Sequence, residues 1–184
     1  MEDPLECLRQ EGRVVCTQRG VIFMAIKTVV FDMGGTIETF NHTRELRLNA
    51  IPDLRKLLVH AGVELDLSDD RLLDVIVGGI RRYHQWRLQS LQELPTARIW
   101  CEYILAGYPV NSAALAAASE ALMLFIETRF YHREMRPEIP AVLETIRRMG
   151  FKIGLISNVS SRGQVPVKLM QYGIYHYFDP IVIS

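Results

Sequence analysis

Val29-Val30-Phe31-Asp32-Met33-Gly34-Gly35-Thr36 sets an aspartate directly behind an apolar run and ahead of two glycines and a threonine. From Ile26 to Phe31 the residues are β-branched and apolar, with no polar alternation after Thr28, which predicts a parallel strand covered on both faces. The strand stops at Asp32. Glycines at the next turn suit a chain that bends sharply and lays its backbone against a ligand. Asp followed by Gly-Gly also suits an ordinary turn, so this stretch alone leaves Asp32 open as a reactive carboxylate or a turn residue.

The same strand pattern returns at Phe151-Lys152-Ile153-Gly154-Leu155-Ile156-Ser157-Asn158 and again at Ile181-Val182-Ile183. A helix opening at Pro137-Glu138, with Ile139, Val142, Leu143 and Ile146 on one side and Gly150 as its stop, precedes the second strand. A shorter one, from about Pro166 to Tyr172, precedes the third. Between the first strand and this return lies a helical region from about Thr43 to His132. Ile51, Leu54, Leu57, Leu58 and Ala61 form one stripe, Ser68 caps a second helix, Pro95-Thr96 opens a third and Asn111 caps a fourth. Gly78-Gly79 marks a weak spot in the second helix or a close contact with a neighbour. The fold class is therefore α/β, a parallel layer with a helical insertion after its first strand. Ligands of an open parallel sheet bind at the carboxyl ends of its strands, so Asp32 and Ser157-Asn158 converge on one edge.

With both motifs in order, the sequence resembles the haloacid dehalogenase superfamily. There an apolar strand runs into Asp-x-Asp-Gly-Thr or a variant, a second apolar strand ends in Ser or Thr, often followed by Asn, and a helical cap commonly lies between. The resemblance covers Ile26 to Ser184 and extends to Tyr177-Phe178-Asp179-Pro180 before the third strand. It implies a Rossmann-like core in residues 24–42 and 133–184, a helical cap in 43–132 and an N-terminal extension in 1–23 that is poorly ordered unless Val21-Ile22-Phe23 docks. The expectation for residues 1–23 is an upstream extension or a misassigned start, with Met24 opening the segment that reads as the beginning of the first strand. Carried over by the same resemblance, Asp32 is the nucleophile that forms an aspartyl-phosphate, and Asp32 with the backbone carbonyl of Gly34 holds Mg2+. Gly35, Thr36, Ser157 and Asn158 hold the phosphate of a small phosphorylated metabolite.

Two departures qualify this. Position 34 is glycine where phosphatases of the family carry a second aspartate as acid and base, help worth about 100-fold to 10,000-fold. Glu38 is the nearest substitute in sequence. Glycine also suits a leaving group that needs no proton, which keeps a haloacid dehalogenase-type hydrolase as an alternative. Second, the resemblance implies a lysine, a fourth strand and acidic metal ligands after the third strand, and none is present up to Ser184. Lys168, on the helix before that strand, is no replacement. The expectation is a core lacking its C-terminal part, Mg2+ held weakly, and an unpaired edge at Val29 to Phe31. That edge could serve a homodimer or swapped oligomer, and a catalytically inactive assembly or partner-binding module is the reading from outside enzymes.

Composition bounds the rest. The 184 residues are 49% hydrophobic and 23% charged, which supports a real core. Lys+Arg and Asp+Glu balance at 21 each, so no global field draws the chain to nucleic acid or anionic membrane. Three cysteines, Cys7, Cys16 and Cys101, at no zinc or redox spacing predict reduced thiols and a cytoplasmic setting. The five histidines lack ligand spacing, and no apolar run approaches the roughly 20 residues of a membrane helix.

Overall fold

The computed structural model describes residues 26–184 with their side chains, and the backbone of residues 6–10, 13–18 and 21–22. Those three backbone segments are strands β1 (Glu6–Gln10), β2 (Arg13–Gln18) and β3 (Val21–Ile22), joined as an antiparallel sheet of their own. Apart from them, the order expected of residues 1–23, and the thiols of Cys7 and Cys16, lie outside the described residues.

The parallel sheet is built from β4 (Thr28–Phe31), β7 (Lys152–Ser157) and β8 (Ile181–Ile183) in the order β4-β7-β8. Phe31 stands opposite Leu155, and Leu155 opposite Ile181. This register puts Phe31, Ile153, Leu155, Ile181 and Ile183 on one face. There they meet α5 (Ile139–Arg148) through Ile139 and Leu143, and α6 (Gln164–Gln171) through Val165 and Leu169. Both helices lie on this side. The opposite face is uncovered by any described element, with Val30 52%, Ile156 55% and Val182 46% exposed. Coverage of both faces, expected from the apolar strands, thus holds for one face only. The helix stripe is also narrower than expected, because Val142 is 37% exposed.

Helices α1 (Arg44–His60), α2 (Asp69–Ser90) and α4 (Ser112–Arg129) pack around a second, separate core, with Leu54, Leu72, Ile76, Tyr83, Trp100 and Leu122 all buried in it. Their starts follow the sequence signals: the Thr43 hydroxyl accepts from the Leu46 amide, Ser68 from Arg71, and Asn111 from Ala113 and Ala114. The expected third helix differs. It is a three-residue α3 (Thr96–Arg98) that widens at once into a π-helical stretch, Ile99–Ile104, in which the Leu105 amide donates five residues back to Trp100 at 2.9 Å. The bulge presses its backbone onto α2, where a Cβ added at Gly79 would stand 2.4 Å from the Ile104 Cα and 2.7 Å from the Tyr103 oxygen. Gly79 is therefore a close helix contact.

A two-stranded antiparallel ribbon, β5 (Glu38–Asn41) with β6 (His132–Met135), links the helical unit to the α/β layer. No helix among the described residues is long and apolar enough to cross a membrane.

Candidate active site

Because β4 and β7 run parallel in register, their carboxyl ends lie side by side. Asp32, Gly34, Ser157 and Asn158 all line one cavity of about 250 Å³ at that edge. The loop carrying Asp32 is pinned from below by Met33 and Ile37, which are 1% and 0% exposed. The amides of Ile37 and Glu38 donate to the Met33 carbonyl at 3.0 and 3.1 Å, and the Gly35 amide donates to the Glu38 carbonyl at 2.7 Å. Gly35 takes φ +82°, a left-handed backbone that a side chain would strain. Its carbonyl accepts from Arg136 Nη2 at 3.1 Å. Gly35 and the exposed Thr36 lie on this turn but outside the residues that line the cavity.

With the Met33 and Gly35 carbonyls engaged, the Gly34 carbonyl takes part in none of the hydrogen bonds described for the loop. An exposed carboxylate at Asp32 and this carbonyl are two hard oxygen donors. They fit a magnesium ion, which keeps several waters and uses one or two carboxylates together with substrate phosphate. Among the described residues no three His, Cys, Asp or Glu side chains cluster as a complete metal cage. At Gly34 there is room for a side chain, since an added Cβ would meet only Phe40 Cε1, at 3.4 Å.

The loop after β7 is tied to the end of α2. Asn158 donates from Nδ2 to Glu93 Oε1 at 2.8 Å and accepts from Arg87 Nη1 at 3.4 Å, while Arg87 and Glu93 form an ion pair at 3.3 Å. The Tyr83 hydroxyl also donates to Glu93, and burial together with that carboxylate pushes it up to about 12. Arg87 faces the cavity beside His84. Burial, with Arg87 alongside, lowers the pKa of His84.

A buried polar cluster forms the far wall. Glu38 is fully buried and accepts from Arg133 Nη1, from Gln164 Nε2 at 3.3 Å and from the Tyr172 hydroxyl at 2.8 Å. Arg133 and Gln164 share its Oε1 and Tyr172 holds its Oε2, so Glu38 is engaged by three donors, the Arg133 guanidinium among them. Arg133 also donates from Nη2 to Glu127 Oε2 at 2.8 Å, and its guanidinium lies over the rings of Phe40 and Tyr131 at 5.1 and 5.2 Å. Sequence reasoning missed Glu127, Arg133, Gln164 and Tyr172. No local pattern signalled them, since Tyr131-His132-Arg133-Glu134-Met135 sets three polar residues in a row with no period-2 alternation, and the other three are scattered along the chain. Trp86, Trp100 and Tyr103 pack in or against the helical core and not into the site.

A larger hollow, about 540 Å³, lies against α1 and α2. Its Arg44 is already paired with Asp70 and Asp74 at 3.0 and 2.8 Å, and no nucleophile opens on it. The strand edge is therefore the candidate site.

Residues 26–184 match the family model of haloacid dehalogenase-like hydrolases. A glyceraldehyde 3-phosphate phosphatase of Methanopyrus kandleri is 29% identical over 160 residues, covering 86% of this chain and 62% of that protein. The chain thus spans about 62% of the length of the curated relative it matches. Among solved structures, a HAD phosphatase from Thermococcus onnurineus matches with a TM-score of 0.43 at 22% identity, covering 86% of this chain and 62% of its own. A predicted phosphoglycolate phosphatase from Haemophilus somnus matches at 0.41 and 14%, with the same coverage.

Proposed function

The chain belongs to the haloacid dehalogenase-like hydrolases, and from that premise we propose that it is a phosphatase of a small phosphorylated metabolite. Asp32 is its nucleophile. The observation that carries this reading is the convergence of Asp32, Gly34, Ser157 and Asn158 on one cavity, although the two motifs lie far apart in the chain. A volume of about 250 Å³ suits a compact substrate.

In this reading the Asp32 carboxylate forms a bond to phosphorus as the bond to the leaving oxygen breaks, and water then releases phosphate from the aspartyl-phosphate. Asp32 and the Gly34 carbonyl would hold Mg2+, which would supply charge neutralisation between the two anions. Ser157 and Asn158, with Gly35 and Thr36 across the turn, hold the phosphoryl oxygens. Arg87 and His84, which line the same cavity, meet the remainder of the substrate. Residues 43–132 act as a cap over a core made of 24–42 and 133–184, a division supported by two separate apolar clusters joined through the β5–β6 ribbon.

The test is phosphate release from p-nitrophenyl phosphate by the 184-residue chain, with and without Mg2+. Turnover that needs the metal and disappears in Asp32→Asn is expected; Asp32→Asn retaining wild-type turnover would sink the reading. Asp32 is exposed, so the variant should fold normally. Two other readings have observations behind them. Gly34 suits hydrolytic dehalogenation through the same Asp32. Strand β4 stands at the end of the order β4-β7-β8 among the described residues, and that edge suits a catalytically inactive chain acting as an assembly or partner-binding module.

A further inference from the structure

Two carboxylates of a largely desolvated cluster divide one guanidinium between them. Glu38 and Glu127 share Arg133, whose side chain is 8% exposed, while those of Glu38 and Glu127 are 0% and 16% exposed. Lys168 adds positive charge on the Glu38 side, so Glu127 is left with its share of Arg133 and the nearby Glu38 charge, surroundings that favour binding a proton. Pairs of titratable groups in unequal surroundings divide acid and base roles between them. Here the surroundings are plainly unequal. Glu38 is spent on Arg133, Gln164 and Tyr172. Glu127, in the last turn of α4, has Arg133 on one oxygen, the Ser160 hydroxyl beside it, and opens on the same cavity as Asp32.

We infer that Glu127 is the proton donor and acceptor that glycine at position 34 does not provide. The inference rests on the phosphatase reading. As Asp32 Oδ bonds to phosphorus and the P–O bond to the leaving group breaks, the Glu127 carboxyl gives its proton to the departing alkoxide. In the second step the Glu127 carboxylate takes a proton from water, the water oxygen bonds to phosphorus, and the Asp32 Oδ–P bond breaks. One water is consumed, alcohol and phosphate leave, and Glu127 is protonated again. Burial, the largest influence, raises the pKa of Glu127 against the pull of Arg133, in the direction an acid at neutral pH requires. The charged and titratable groups facing it are Arg133, Glu38 and Tyr131, the last with Arg47 against its ring. The assignment also gives the β5–β6 ribbon a task, since Arg133 on β6 carries Glu38 at one end of its fork and Glu127 at the other.

The experiment compares two substrates in wild type and Glu127→Gln: p-nitrophenyl phosphate, whose phenolate leaves unaided, and glycerol 3-phosphate, whose alkoxide needs a proton. Removing a general acid costs about 100-fold to 10,000-fold where a proton is needed. We expect that loss of kcat in Glu127→Gln on glycerol 3-phosphate, and a much smaller one on the aryl ester. Gly34→Asp in the Glu127→Gln background should recover the alkyl phosphate, because position 34 has room for a side chain. Equal losses on both substrates would mean a structural role only, and no loss on either would mean no role; both overturn the assignment. A wild-type chain that hydrolyses neither ester overturns the phosphatase reading itself, which separates the two failures.

Discussion

Three carboxylates reach the candidate site, and their neighbours give them different work. Asp32 is exposed at a strand end, Glu38 is fully buried and held by three donors, and Glu127 has Arg133 on one oxygen where it lines the cavity. Asp32 was legible in the sequence because an apolar strand followed by glycines is a local pattern. Glu38 and Glu127 were not, since their partners lie 95 and 6 positions away and only the fold decides which carboxylate shares Arg133. His84 offers a test at this scale. Burial holds its folded pKa below the ordinary 6.5, so the unfolded chain takes up a proton first as the pH falls. The stability it contributes is therefore present above 6.5 and lost as the pH drops through 6.5 toward the folded value. His42 shares the sign. Urea midpoints should fall between about pH 7.5 and about pH 5.5, and His84→Gln should make that fall shallower; an unchanged pH slope in the variant would remove His84 as a contributor.

At the scale of elements, the strands and most helix starts were readable, because apolar runs, capping hydroxyls and glycine stops are each written within a few residues. The ribbon was not, since β5 and β6 are only four residues each and pair across the whole helical insertion. The π-helical widening after Arg98 was hidden for a related reason: Ile99, Trp100, Tyr103 and Ile104 fit an α-helical stripe equally well, and contact with α2 decides between them. Gly78 and Gly79 separate propensity from packing. A Cβ at Gly78 would meet nothing closer than Arg82 Nη1 at 3.5 Å, so Gly78→Ala should stabilise by roughly 0.5–1 kcal/mol. Gly79→Ala drives a methyl into the Ile104 and Tyr103 backbone and should destabilise by about 1–3 kcal/mol or more. Equilibrium urea unfolding of both variants checks this, and equal effects of the two would contradict the close contact.

The described residues form two apolar cores and a polar seam. The helical core and the α/β core share no buried hydrophobic residue, and what joins them around the cavity is Arg133 with its two glutamates on one side and Asn158 with Arg87 and Glu93 on the other. A substrate entering this seam would touch both units. The alternation of strand and helix made this two-part plan visible in the sequence, but coverage of the sheet on one face only was not, because an apolar strand reads alike whether one face or both are packed.

The central claim, attack by Asp32 on phosphorus, is tested most directly by rapid acid quench of the chain during turnover of a ³²P-labelled phosphate ester. Radiolabel bound to the wild-type chain, released by hydroxylamine as an acyl-phosphate should be, and absent from Asp32→Asn, is the result expected. Phosphate released with no label ever bound to the chain, or bound label that persists in Asp32→Asn, would contradict it.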